Sequence, residues 1–334
     1  MNKLLKVFCA IVLLQSSCKT DIDLLAPYKE TMVIYGLLDP SDSVQVLRIN
    51  RAFLGEGDAY TFAQVPDSFN YRDILDVKLE RYNKDSVKTG TITLERFEGP
   101  PLSSGIFATQ PNILYRTTGA DSIYQDDGGE YKMIVYNRES GLTTVSRTEV
   151  VNKISLFESP SSGGSVDLVG NPFVIKWNAG NNAKFYDVYI RFHYREIEKA
   201  NTSNIQDKTV EWQVGTAVDN INSSSNPLLT IPLSKESFYG SVRRSINPDN
   251  AVDRYFLGMD FLYYGGTSDL YTYIQVNKPP TGIVQSIPDF SNIEDGVGIF
   301  SSRFSQILKS KQLSPASKDT LANGYLTGDL GFKN

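Results

Sequence analysis

The chain has 334 residues, with 33 basic against 38 acidic side chains and a formal net charge of −5. That balance provides no basic surface for a nucleic acid, whose phosphate backbone requires one. Two cysteines and one histidine leave almost nothing for disulfide staples, cysteine metal cages or histidine-based triads.

The first element is an export signal. Lys3 and Lys6 precede an apolar run at 7–14 (VFCAIVLL), then Ser16, Ser17 and Cys18. The run is too short to span a bilayer, so residues 1–17 read as a signal peptide cleaved before Cys18. A cysteine at that point is where bacterial lipoproteins take their lipids, although Gln15 stands where a leucine is usual. Each acyl methylene contributes about 0.8 kcal/mol, so two or more chains anchor firmly. Residues 18–30 then form a polar tether to the bilayer. Cys9 leaves with the signal and Cys18 goes to lipid, so neither a disulfide nor a free thiol is expected.

From residue 31 the pattern is that of strands, rich in Tyr, Val, Ile and Thr. Residues 31–38 (TMVIYGLL) and 44–50 (VQVLRIN) flank the turn 39–43 (DPSDS). A long loop is expected at 53–70. Residues 76–82 (DVKLERY) pair with 91–97 (TITLERF), and 112–118, 131–136 (YKMIVY) and 142–151 follow. About eight short strands make residues 31–158 a sandwich domain.

Residues 157–164 (FESPSSGG) read as a joint, and 165–334 as a second domain. Strands are expected at 166–169, 173–177 (FVIKW), 186–194 (YDVYIRFHY) and 209–214. In the third of these, Tyr186, Val188, Ile190, Phe192 and Tyr194 share one face, and Asp187, Tyr189, Arg191 and His193 the other. A tryptophan strand, a short turn and a tyrosine-rich strand resemble fibronectin type III modules. Ser234 caps a helix running to Ile246, with Phe238, Val242 and Ile246 four apart. Late strands are expected at 255–261 and 270–276 (LYTYIQV), and a helical turn or two at 303–309. The expected class is therefore all-β: two immunoglobulin/fibronectin-III-like β-sandwich domains, with short helices in the second.

Two blocks carry a family resemblance. Residues 271–280 (YTYIQVNKPP), 282–285 (GIVQ) and 290–303 (FSNIEDGVGIFSSR) form the more specific one. Residues 32–40 (MVIYGLLDP) and 46–55 (VLRINRAFLG) form the other. Together they resemble the closing and opening signatures of the domain of unknown function 4249 family, over residues 20–332. That resemblance implies a Bacteroidota outer-membrane lipoprotein, often encoded beside TonB-dependent receptors. It carries no established activity and no catalytic residue. Asp21 and Asp23, close behind Cys18, resemble the acidic export tags of surface lipoproteins in that lineage.

Several residues invite chemistry. Residues 121–130 (DSIYQDDGGE) offer Asp121, Asp126, Asp127 and Glu130 as oxygen ligands for calcium, although a solvated hairpin end gives the same composition. Asp289, Glu294 and Asp295 form a second acidic group. His193 lies in a strand with no serine in a nucleophile-elbow setting, which favours a structural role. In the closing block, Asn292, Glu294, Asp295, Gly296 and Gly298 form a glycine-rich loop that either packs or makes contact with a partner. Ser43, Ser86, Ser122 and Thr320 fit the Asp-Ser/Thr-apolar pattern for O-glycans in Bacteroidota, each beside an expected turn or loop.

These features point to a non-catalytic lipoprotein, an accessory or binding module of a TonB-dependent outer-membrane system. It would be lipid-anchored in the outer membrane, facing the cell surface or alternatively the periplasm, with a TonB-dependent receptor or other envelope protein as partner. No cofactor is expected beyond the calcium option. Two alternatives stand beside it. One is an extracellular, glycan-directed hydrolase using a carboxylate pair that the sequence does not single out. The other is a structural spacer.

Overall fold

The computed structural model describes residues 29–52, 58–118, 123, 129–161, 163–219, 226–279 and 289–334. The first alternating run becomes β1 (Met32–Leu38), with Met32, Ile34 and Leu38 buried on one face and Tyr35 exposed on the other. The two-residue period of a strand produces that split. β2 (Val46–Arg51) pairs antiparallel with it and buries Leu47 and Ile49 on the same face.

The expected loop at 53–70 contains two short helices, α1 (Ala59–Ala63) and α2 (Pro66–Phe69). Asp58 caps the first by accepting from the Tyr60 amide, and Pro66 opens the second. β3 (Leu75–Tyr82) and β4 (Lys88–Thr93) form the expected hairpin, but 91–97 is not one strand. Buried Leu94 separates β4 from β5 (Glu95–Glu98), which lies in a different sheet beside β6 (Ile113–Arg116). β7 (Glu130–Asn137) and β8 (Thr143–Glu149) complete a four-stranded antiparallel sheet in the order β4-β3-β7-β8.

Past the Ser/Gly-rich segment come β9 (Leu156–Ser159), β10 (Phe173–Asn178), β11 (Phe185–Glu198), β12 (Ile205–Val218) and β13 (Leu228–Leu233). β13-β10-β9 form a three-stranded sheet. Along β11, Tyr186, Val188, Ile190, Phe192 and Tyr194 are all buried, as the alternation requires. Residues 166–169 form no strand; Val166 makes a single bridge to Leu313. α3 (Lys235–Ser245) starts where expected: Ser234 accepts from the Ser237 amide, and Phe238, Val242 and Ile246 are buried.

β14 (Val252–Gly266) is followed by α4 (Ser268–Val276), where a strand was expected at 270–276. The Thr267 hydroxyl caps this helix at the Leu270 amide, and Asp269 suits the positive end of the helix dipole. Helical spacing then brings Leu270, Tyr273 and Ile274 together along one cavity wall. The helical turns expected at 303–309 are instead the second half of β15 (Gly296–Lys311), because that segment pairs along β14. α5 (Pro315–Asn323), a 3₁₀ turn at Gly328–Leu330 and β16 (Phe332–Lys333) close the chain.

The protein is thus mostly β, in several sheets, with its longer helices in the C-terminal half. β15 joins the halves. Its first part pairs in parallel with β1, from Met32↔Gly296 to Leu38↔Ser302. Its second part pairs antiparallel with β14, from Gly266↔Arg303 to Met259↔Lys311. The result is a sheet in the order β12-β11-β14-β15-β1-β2-β6-β5, with β16 beside β14. Two buried clusters flank it. One gathers Trp177, Tyr186, Phe192, Phe238 and Tyr263; the other gathers Met32, Ile34, Ile49, Val77 and Met133, together with Ile293 and Phe300 from the far end of the chain. Among the described residues, no helix is long and apolar enough to cross a membrane.

Candidate binding groove

The same period that sends Ile34, Leu47 and Ile49 inward leaves Tyr35 and Arg48 on the outer face of β1 and β2, and the register sets them directly opposite each other. Two cavities open on this face. One, of about 740 Å³, runs between Tyr35, Arg48 and the α4 residues Leu270, Tyr273 and Ile274. The other, of about 470 Å³, runs between Tyr35, Arg48 and the side chains of Phe69, Leu102 and Phe107. Tyr35 and Arg48 line both, so the two cavities adjoin at this pair, and we refer to them as the two lobes of a groove. Each lobe has the size of a ligand site, mostly apolar with a few polar groups.

Aromatic edges shape both lobes. Tyr35 and Tyr273 meet edge to face at 6.5 Å, and Phe69 meets Phe107 in the same way at 5.4 Å. Phe107 is 48% exposed and Tyr35 44%. Burial, then the Tyr35 hydroxyl and the nearby Asp289 carboxylate, push the Tyr273 phenol up to about 12. It therefore stays protonated and able to donate.

Arg48 is the unusual cation here. It is half-buried, and burial holds its guanidinium below the ordinary arginine value. Among the described residues its side chain has no hydrogen-bond or ion-pair partner. Its neighbours are engaged. Arg303 lies 3.2 Å from the buried Asp39 carboxylate, which also accepts from Ser305 at 3.0 Å. Arg51 donates from Nε to the Ser68 carbonyl at 3.2 Å. Asp187 accepts from Gln213 at 3.0 Å and from Thr216. A guanidinium that makes no ion pair among the described residues, beside apolar walls, has donors available for an anion.

The residues singled out in the sequence lie elsewhere. Cys18, the signal peptide and nearly all of the tether fall outside the described residues, as do Asp121, Ser122, Asp126 and Asp127. Glu130, at the start of β7, forms an ion pair with Arg147. Among the described residues, no three His, Cys, Asp or Glu side chains gather as a metal site would need. His193 Nε2 lies 3.0 Å from Asp260 Oδ2, and Asp260 Oδ1 accepts from the Ser310 amide at 2.8 Å.

The glycine-rich loop is tied down by the Asn292 side chain and by its own backbone. Asn292 donates to Asp269 and to the Phe300 carbonyl, both at 2.8 Å, and accepts from the Phe300 amide at 3.0 Å. Glu294 exchanges backbone hydrogen bonds with Val145, and the Asp295 carbonyl accepts from Thr144. Gly296 and Gly298 are already strand residues paired with β1. The side chains of Glu294 and Asp295 face solvent. Ser43 is exposed in the first turn and Ser86 in the β3–β4 hairpin. Thr320, expected beside a loop, is inside α5, where its hydroxyl donates to the Ala316 carbonyl at 3.0 Å.

Sequence reasoning missed Arg48 and Tyr35 as a pair. The only local signal was one arginine in an alternating strand, which ordinarily marks a solvated face. No family model matches this chain, and no curated protein matches it.

Proposed function

We propose that this chain is a non-catalytic, lipid-anchored protein of the bacterial outer membrane that works by contact, as a binding module of a TonB-dependent system. The observation that carries the reading is the two-lobed groove: mostly apolar, aromatic-edged and lined at its junction by Arg48, which makes no ion pair among the described residues. Such a surface suits recognition of a ligand. The N-terminal signal ending at Cys18 supports the lipid anchor, and the resemblance of the opening and closing blocks to the domain of unknown function 4249 family supports the outer-membrane address. The two buried clusters are read as the cores of immunoglobulin/fibronectin-III-like sandwiches that share β15.

The test is fractionation and mild-detergent pull-down of the native protein beside Cys18→Ala. The native protein should sediment with the outer membrane and enrich a TonB-dependent receptor or another envelope protein. The variant should appear in the soluble fraction. Identical fractionation of the two would defeat the anchor. Reproducible glycan hydrolysis, lost on replacing a carboxylate pair, would replace binding with catalysis.

A further inference from the structure

Resting on the reading of this groove as a contact surface, we infer that it takes an extended peptide segment with one acidic side chain at Arg48, flanked two residues away on each side by apolar side chains that enter the two lobes.

The anionic position follows from Arg48. A half-buried guanidinium with no partner among the described residues keeps its donors open to an incoming carboxylate. A carboxylate also matches the planar fork of arginine with two parallel hydrogen bonds. The charges facing Arg48 from the smaller lobe favour it. That lobe contains Arg48 and Arg51 and, among the described residues, no acid. The larger lobe carries two carboxylates, Asp42 and Asp187, the latter hydrogen-bonded to the neutral side chains of Gln213 and Thr216, while Arg303 is paired with Asp39. A single negative charge is therefore best placed at Arg48 on the side of the smaller lobe, and the larger lobe suits an uncharged group.

The apolar positions follow from the walls. Phe69, Leu102 and Phe107 close one side of Arg48, and Leu270 and Ile274 the other. In an extended strand, alternate side chains point the same way. A segment of the form apolar-x-acid-x-apolar thus presents three side chains to the groove and leaves the intervening two to solvent. The exposed edges of Tyr35 and Phe107 supply rigid amphipathic contact, as tyrosine and phenylalanine do at protein interfaces.

The experiment uses the detergent-solubilised native lipoprotein and two fluorescent peptides, acetyl-Leu-Ser-Glu-Ser-Phe-amide and its Gln counterpart, with binding read by anisotropy. The Glu peptide should bind at least about tenfold more tightly, the scale of one charge-assisted pair. Arg48→Gln should bring the two peptides to within about twofold of each other, with an unchanged circular dichroism spectrum and melting temperature. Arg191→Gln, which removes an exposed arginine paired with Glu211 on β11, should keep the discrimination. Equal affinity in the native protein, discrimination that survives Arg48→Gln, or displacement by phosphatidylglycerol vesicles and not by excess Glu peptide would each overturn the inference. If the native pull-down still enriches an envelope protein in those cases, the contact reading stands and only the ligand class fails.

Discussion

Gly298→Ala should destabilise the fold by about 3 kcal/mol or more, the upper range for forcing extra volume into packed structure. Gly298 has φ +117°, in the region that favours glycine. It is also the parallel partner of Ile34, and an added Cβ would sit 2.0 Å from the Ile34 carbonyl oxygen. That oxygen is backbone and has no rotamer to escape into, so β1 and β15 would have to separate. Gly170 separates the two causes. Its φ is +105° and an added Cβ there would meet nothing within 4 Å. Gly170→Ala should therefore show only the conformational cost, about 1–2 kcal/mol. Urea denaturation of the two variants makes the comparison, and equal losses would mean that the β1–β15 approach contributes nothing of its own.

Arg254→Met should cost about 3 kcal/mol at neutral pH, the low end for breaking a buried ion pair. The Arg254 side chain is 4% exposed; Nε lies 2.8 Å from Glu196 Oε1 and Nη1 lies 2.5 Å from the Leu330 carbonyl. Methionine leaves that carbonyl unpaired and Glu196 with Lys208 alone. Adding Glu196→Gln should recover part of the loss, because the stranded charge is then gone. Burial alone would raise the Glu196 carboxyl, but the hydrogen bonds and charges of Lys208 and Arg254 override it and hold it below its ordinary 4.5. A carboxyl depressed in the folded state contributes stability that is present above pH 4.5 and lost as pH falls through the folded value. The gap between native and Arg254→Met should accordingly narrow between pH 7 and pH 3, as read by urea midpoints. A gap that widens on acidification would contradict the pairing.

Local pattern made part of this architecture legible. The alternation of 186–194 assigned the buried face of β11 residue by residue, and Ser234 with apolar residues four apart located α3. Misreadings arose where a non-local partner decided. LYTYIQV alternates and is rich in β-formers, yet its cap, Thr267, lies outside the window, and Leu270, Tyr273 and Ile274 face a groove that only the folded sheet creates. The segment 303–309 has apolar residues at helical spacing, but the edge of β14 takes it as a strand. No local feature announces that β1 pairs in parallel with a segment near the opposite end of the chain. The groove was hidden for the same reason: Arg48 is an ordinary outward residue of VQVLRIN until α4 and the 102–107 segment rise on either side of it.

The most direct test of the groove as the contact surface is a photoreactive benzoyl-phenylalanine placed at Tyr35 in living cells, with the same group at Tyr325 as comparison. Tyr325 is 84% exposed, more than Tyr35, and lies outside the groove. Illumination should give one adduct of defined mass at position 35, containing an envelope protein, and Arg48→Gln should remove it. The same adduct at position 325, or none at position 35 while position 325 reacts, would contradict the account.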